Sequence, residues 1–318
     1  MRPNPTHPSS PHADVAKGTS MLHIRLFGQI ECMLDDTPVP LPPSAQALLA
    51  YLALDHHRAH HREHLATLFW PDIQSHYART NLRKTLWKLQ QALGDTTALD
   101  IEHATIALNC AHVRIDSDTF AQAFEACRRQ NGSILDAQQC TLARDAITLY
   151  RGDLLETIYA DWSLVPREQY RHMYLVLLEK VLAHCEQMHA LNEGIQYAHQ
   201  LLQQEPAHER THRTLMRLFY LSGNRTAALR QFLLCRQILD TEFQAAPAQA
   251  TQNLADAIRQ DDAETVRRYA LEERTRFEAQ THATAEELRA LETHLQASLN
   301  DVRRQLARLR DVAPPAKD

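Results

Sequence analysis

SHYARTNLRKTLWKLQQALG, Ser75 to Gly94, is the stretch from which the fold is read. Ala78, Leu82, Leu86, Leu89 and Leu93 recur at helical spacing and share one face of a helix. Gly94 stands where a C-terminal cap belongs, because glycine adopts positive φ without a steric penalty. The side away from the leucines carries Arg79, Thr80, Arg83, Lys84, Trp87 and Lys88, and no acid occurs between Ser75 and Leu93. Working upstream, HREHLATLFWPD reads as a shorter helix packed through Leu65, Leu68 and Phe69 and stopped by Pro71. Before it, SAQALLAYLAL reads as a helix with Ser44 as its N-cap and Ala47, Leu48, Tyr51 and Leu52 on one side. Earlier still, MLHIRLFG alternates apolar and polar residues, and ECMLDD leads into TPVPLPP, a pattern of short strands and tight turns. Downstream, ALDIEHATIALNC reads as two short strands around the polar turn His103 to Thr105. Strands, three helices and a hairpin, in that order over residues 21–116, are the arrangement of a winged helix-turn-helix, which presents its third helix.

Beyond Asp116 the strand signals stop. Helical segments are expected near 118–129, 138–150, 164–188, 191–204, 208–221 and 225–240, within an all-α domain over residues 117–260. A shift of 34 residues lays Val181, Leu182, Cys185 and Ile195 over Leu215, Met216, Phe219 and Leu229, the period of tetratricopeptide-like repeats. Each such helix pair has an apolar face that only a neighbouring pair can cover, so the pairs stack into a curved array with a concave binding surface. Residues 261–311 contain no Pro or Gly and mix Arg with Asp and Glu, which predicts one long helix or a helical hairpin. Its stripe of Leu288, Leu291, Leu295, Leu299, Val302, Leu306 and Leu309 departs once from strict heptads, compatible with a coiled coil containing a stutter or with docking onto the helical domain. Residues 1–20, rich in Pro, Ser and His, read as a disordered leader, and residues 312–318 as a loose tail. The fold class is therefore mainly α, with a small α+β region at its N-terminal end.

Composition excludes several functions. The 7 glycines lie at least ten residues apart, so no loop of clustered backbone N–H groups exists to cradle a nucleotide phosphate. The 6 cysteines are scattered without a C-x-x-C pair, and read as small buried hydrophobes rather than zinc ligands or a redox couple. No signal-peptide core or membrane-length apolar run appears, and a cytoplasmic location with no membrane partner is expected. No catalytic signature such as G-x-S-x-G or H-E-x-x-H occurs, and enzyme is the weakest class. HHRAHHREH places His56, His57, His60, His61 and His64 close together, and His60 with His64 would share a face if helical. The carboxylate and further ligands of a metal site are missing there, so a polar loop without metal is the expectation. No cofactor is called for.

What remains is the basic helix. Although the chain carries a formal net charge of −5, DNA responds to the local density of Lys and Arg within a screening length. An α-helix fits the major groove, where Arg83 or Lys84 can meet guanine acceptors, Asn81 can face adenine, and Thr80 can touch a phosphate or methyl group. Arg79, Thr80, Asn81, Arg83, Lys84, Trp87 and Lys88 are accordingly the candidate DNA-binding residues. A Lys/Arg face on an isolated helix is ordinarily just solvated; the winged context gives it a target.

The same residues carry a resemblance. ALLAYLAL, HREHLATLFWPD and ARTNLRKTLWKLQQALG resemble the OmpR-type winged-helix domain of the SARP-like bacterial transcriptional regulators. YRGDLLETIYADW, PREQYRHMYLVLLEKV and LMRLFYLSGNRTAALRQFLLCRQIL resemble their bacterial transcriptional activator domain (BTAD), and the blocks follow the family's order from Met21 to Gln260. The resemblance implies a sequence-specific transcription factor, commonly an activator, that binds direct repeats near a promoter and contacts RNA polymerase; separately, the helical domain is expected to contact RNA polymerase or a second protomer, and the terminal helix to support a homo-oligomer on DNA. The resemblance also marks Tyr150, Arg151, Asp153 and Trp162 as structural, with Tyr150 and Trp162 packed between helices of the activator domain and the other two holding the turn at Gly152. Gln90 and Gln91 stand where the family often has arginines, and the wing holds Glu102 and His103 without Lys or Arg. Those departures keep open an alternative from another class, a protein-interaction adaptor whose winged domain no longer binds DNA. Larger relatives add an ATPase module; no P-loop follows the helical domain here.

Overall fold

The computed structural model describes residues 21–94, 97–128, 135–273 and 275. The readings of a leader at 1–20, of the leucine stripe from Leu288 to Leu309 and of the tail at 312–318 fall outside the described residues. Contacts divide the described residues into two compact units, one drawn from those up to 119 and from 151–167, the other from 120–150 and from those after 167.

In the first unit, β1 (Leu22–Arg25), β2 (Glu31–Leu34), β3 (Thr37–Pro38) and β7 (Val113–Ile115) form a sheet in the order β3-β2-β1-β7. β1 runs antiparallel to β2, with Ile24 opposite Cys32, and parallel to β7, with Ile24 opposite Ile115. Leu22 and Ile24 are buried and Arg25 is exposed, as period-two alternation requires. Asp35 and Asp36 turn β2 into β3 with φ of 46° and 65°, a conformation that short polar side chains tolerate, and Asp35 Oδ1 accepts from the Met21 N–H at 2.8 Å. α1 (Pro43–Leu54) is covered almost all round by the core: Ala45, Leu48, Leu49, Ala50, Leu52 and Ala53 are buried. Pro42 rather than Ser44 holds the N-cap position, and Pro43 opens the helix, where its missing N–H has no intrahelical partner to lose. α2 (Arg62–Phe69) and α3 (Ser75–Leu93) follow, and α3 ends on Gly94 at φ +66°. β5 (Leu99–Ile101) and β6 (Thr105–Leu108) form the hairpin, which β4 (His60–His61) extends in the order β4-β6-β5.

A second stretch of chain completes this unit. Leu26 to Gly28 line up with residues 153–156: the Gly28 N–H donates to the Asp153 carbonyl at 2.9 Å and the Leu155 N–H to the Leu26 carbonyl at 2.8 Å. Glycine suits position 152, because a Cβ would stand 3.2 Å from the Gly28 Cα, a tight approach between two backbones. Asp116 ties the corner together, accepting from the Leu26, Phe27 and Ser117 N–H groups. Arg151 bonds Glu31 at 3.0 Å and lies 3.9 Å from Asp116. Arg167 donates to the carbonyls of Leu154, Leu155 and Ile158. Trp162 packs on Tyr51 and Phe69, at ring distances of 5.3 and 5.8 Å. Its partners thus belong to α1 and α2 and not to the helical array, a difference no local pattern announces.

The second unit is helical: α4 (Asp116–Arg128), α5 (Ala137–Leu149), α6 (Asp161–Gln187), α7 (Leu191–Gln204), α8 (Glu209–Leu221), α9 (Arg225–Phe243) and α10 (Gln249–Gln260), of which α4 and α6 each begin among residues counted with the first unit. Residues 263–273 are helical as well. Tyr150 stacks on Tyr174 with centroids 4.0 Å apart and planes 8° from parallel. Leu182, Ala198, Leu215 and Leu218 form one apolar cluster, and Met216, Phe232, Leu254, Ile258 and Val266 belong to the next. Gly194 and Ala228, one repeat period apart, are both buried; a Cβ at Gly194 would meet Leu218 at 3.1 Å, so small residues let consecutive helices approach. α10 had no counterpart among the expected segments. Five of the cysteines are buried, and Cys110 is exposed. No helix among the described residues is long and apolar enough to cross a membrane.

Candidate nucleic-acid interface

α3 is amphipathic along its whole length. Ala78, Leu82, Thr85, Leu86, Leu89 and Leu93 are buried, which fixes the rotation of the helix and turns the basic residues outward. Arg79, Arg83, Lys84, Trp87 and Lys88 are exposed, and Thr80 and Asn81 are partly covered, Asn81 being placed near the edge of the buried stripe by the helical period. Trp87 is 60% exposed and Tyr77 57%, uncommon values for large aromatic rings. Tyr77, Lys84 and Gln91 follow at intervals of seven, so they lie on nearly one line along the helix. Tyr77 was not among the residues singled out from sequence, yet that spacing from Lys84 was available to do so.

The cations divide into two groups. Arg79 makes an ion pair with Glu63 of α2, Nε to Oε1 at 3.1 Å, both ends largely exposed. No ion pair joins Arg83, Lys84 or Lys88 to an acid among the described residues. Thr80 is also engaged: its hydroxyl donates to the His76 carbonyl at 2.9 Å. The face that is free to meet an anion therefore centres on Arg83, Lys84 and Lys88, with Trp87 between them.

The start of α2 is tied to the hairpin. Arg62, the first residue of α2, donates from Nε and Nη2 to the Glu102 carbonyl at 3.2 and 3.0 Å, and its backbone N–H donates to the Ala104 carbonyl at 3.0 Å. The hairpin turn closes with the Thr105 hydroxyl on Glu102 Oε2 at 3.0 Å. The Glu102 side chain thus bonds within the wing instead of reaching from it. The Arg62 contacts are not readable from local spacing, because they join residues about forty apart in the chain.

The histidines serve structure. His60 and His61 form β4 and α2 starts at Arg62, so His60 and His64 do not share a helical face. His60 is buried, its Nε2 2.8 Å from the Asp55 carbonyl. His56 lies between the Ala53 carbonyl and Asp118, at 2.9 and 3.1 Å, and His64 Nε2 is 3.2 Å from the Tyr51 hydroxyl. Burial raises the Asp118 pKa, against the lowering pull of His56 and His57. Among the described residues no group of three or more His, Cys, Asp or Glu side chains could hold a metal ion.

Comparison with known proteins completes the picture. Residues 115–259 match the family described as the bacterial transcriptional activator domain. No curated protein matches the sequence. A solved structure of Mycobacterium tuberculosis EmbR in complex with a low affinity phosphopeptide is similar with a TM-score of 0.65 at 18% identity, covering 85% of this chain and 71% of that one. At this identity the likeness concerns the fold, mainly helical with a small winged-helix-like region at the N-terminal end.

Proposed function

We propose that this chain, a SARP-like protein carrying a bacterial transcriptional activator domain over residues 115–259, is a sequence-specific DNA-binding regulator that activates transcription from promoter DNA. The observation that carries the reading is the outward face of α3, where Arg83, Lys84 and Lys88 surround the exposed Trp87 on a helix that contains no acid. Lys and Arg at that density release condensed counterions from a duplex, and a helix of this kind reads base edges from the major groove. Arg79, Thr80 and Asn81 lie closer to the helix-turn-helix body and suit phosphate positioning better than base readout. The hairpin β5-β6 approaches the neighbouring backbone, and its lack of Lys or Arg makes it a weak phosphate partner. The helical domain contacts a second protomer or RNA polymerase, and the protein acts as a homo-oligomer on DNA.

Selection from random duplex DNA by the full chain tests this. Enrichment of a repeated motif, with binding weakened when Arg83 and Lys84 are changed to Ala, is the expected result. The Glu63 carboxylate on Arg79 and the acidic wing favour a second reading, the adaptor without DNA binding. That protein would enrich nothing and would pass through heparin at low salt without retention.

A further inference from the structure

α8 carries Arg210, Arg213 and Arg217 at successive turns, and the last two converge inside the helical array. Arg217 is 2% exposed. Its Nε and Nη2 face Glu186 of α6 at 2.7 and 3.2 Å, and Nη2 also donates to the Thr214 hydroxyl at 2.9 Å. Nη1 is left pointing elsewhere, to the carboxylate of Glu273. Arg213 repeats the arrangement: Nη1 donates to the Thr251 hydroxyl at 3.0 Å, and Nε donates to the other oxygen of Glu273. One carboxylate is thus clasped by two guanidinium groups, the charge-assisted geometry by which proteins recognise carboxylates.

The balance of charge shows how much this place depends on an anion. Glu186 answers Arg217, while Glu209 is committed to α10, accepting from the Ala248 N–H at 3.0 Å and the Thr251 hydroxyl at 2.6 Å and lying 3.9 Å from Arg213. Without Glu273 the inward N–H groups of both arginines would lose their carboxylate in a buried setting, where an unanswered charge is costly. Burial alone would raise the Glu273 pKa, yet Arg217 and Arg213 hold it below the usual carboxylate value.

Glu273 itself is loosely carried. Within residues 263–273, Val266 is fully buried, whereas Leu271 is 54% exposed and Glu272 is exposed too. Tyr269 still packs on the apolar cluster that holds Val266, and beyond it Glu273 is held chiefly by the ion pairs, the profile of a segment end that opens at low cost. Beside the carboxylate lies a cleft of about 370 Å³ lined by Arg213, Arg217, Gln249, Asn253, Leu254 and Tyr269, together with Glu272 and Glu273. Its size falls at the lower end of small-molecule sites, and the Gln249 and Asn253 amides supply polar contacts beyond the arginines.

We propose that the Arg213–Arg217 pair is a carboxylate-binding site which the chain fills with its own Glu273, and which a small carboxylate-bearing molecule takes by displacing that side chain into solvent. The site lies wholly within the helical unit and does not rest on how the chain meets DNA. Thermal unfolding of the full chain with Glu273→Ala gives the first test. Propionate should raise the midpoint of this variant saturably above chloride at equal ionic strength, should raise that of the unaltered chain by less because Glu273 competes, and should leave the Glu273→Ala, Arg213→Ala double variant unmoved. Should Glu273→Ala fail to fold, Glu273→Gln keeps the side-chain volume. Calorimetric titration with glutarate should find at least about tenfold tighter binding to Glu273→Gln than to the unaltered chain, because the internal competitor is weakened. Propionate acting no better than chloride, equal rescue of the double variant, or equal glutarate binding by both chains would each overturn the proposal.

Discussion

Two helices of this protein carry arginines at helical spacing and use them in opposite ways. α3 holds Arg83 with Lys84 and Lys88 in water, with no acid paired to them among the described residues, on a helix whose leucines are buried. α8 draws Arg217 fully inside and surrounds it with Glu186, Glu273 and Thr214. A solvated cation costs nothing to fold and remains available to a partner. A buried one must be answered within the chain, and once answered it specifies packing. Residue type therefore says little here; the number of acids within reach says what each arginine is for.

The largest break in that comparison is expected from Arg217→Ala. Removing the guanidinium strands Glu186 and leaves Glu273 to Arg213 alone, so urea unfolding should show a loss of about 3–5 kcal/mol, the range for deleting one partner of a buried pair. Arg83→Ala should change stability by no more than about 0.5 kcal/mol. Equal effects at both positions would end the distinction.

The next effect belongs to Trp162, half-buried against Tyr51 and Phe69. Truncating a fully buried Trp costs about 3–5 kcal/mol, and partial exposure brings the expectation for Trp162→Ala to about 2 kcal/mol. The readout is the unfolding of the first unit, followed by near-ultraviolet circular dichroism of its aromatic cluster. An unchanged midpoint would show that residues 151–167 are dispensable to that unit.

Those three residues also mark where sequence reasoning reaches and where it stops. α3 was legible because its leucines repeat within one helix and Gly94 caps it, all within local range. The winged order followed from the same short-range signals. The addition of residues 151–167 was not legible, since it depends on Gly152 meeting Gly28 and Trp162 meeting Tyr51, contacts that no period encodes. α10 escaped because Thr251, Ala255 and Ala257 fill much of its buried side and leave only Leu254 and Ile258 as strong apolar signals. The Arg217–Glu273 pair escaped for a further reason: acids and bases in a helix ordinarily mark a solvated face, and only the packed structure distinguishes the exception.

Binding sharpens the comparison from the other side. Arg83→Ala should weaken binding to a selected duplex by about 1–3 kcal/mol if the guanidinium contacts a base edge, measured by fluorescence anisotropy. Arg213→Ala should leave the DNA affinity of the folded protein unchanged. Loss of DNA affinity in both variants would mean that the α8 arginines are not reserved for the interior.

Acid should act on the buried helix first. His212 is buried, with Nε2–H donating to the Pro206 carbonyl at 2.8 Å and Nδ1 accepting from the Gln231 amide at 2.6 Å, an arrangement that needs the neutral ring. Burial lowers its pKa from the ordinary 6.5, and burial also lowers that of His208. Between pH 6.5 and the lower folded value the unfolded chain takes up protons that the folded chain resists, so stability falls as pH falls through that window. Above it both states are neutral and pH has no leverage through these rings. The urea midpoint should drop from pH 7 to about pH 5.5, and His212→Gln should flatten part of that slope. A slope of the same size in the variant would assign the effect to other groups. Glu273, held below the usual carboxylate range, contributes at lower pH and in the same direction.

The smallest effect separates positioning from reading on α3 itself. Lys88 lies one helical turn beyond Lys84, and as a flexible point charge it suits a phosphate rather than the bidentate edge of a guanine. Its replacement by Ala should lower affinity on selected and unrelated duplexes alike. The slope of log affinity against log salt should shrink by about one, the share of a single phosphate contact. Arg83→Ala should instead lower affinity more on the selected duplex than on the unrelated one. Two titrations per variant, from 50 to 200 mM salt, resolve the two behaviours. If both variants lose only salt slope, the basic face of α3 binds the backbone without reading sequence, and the proposed base readout by Arg83 fails.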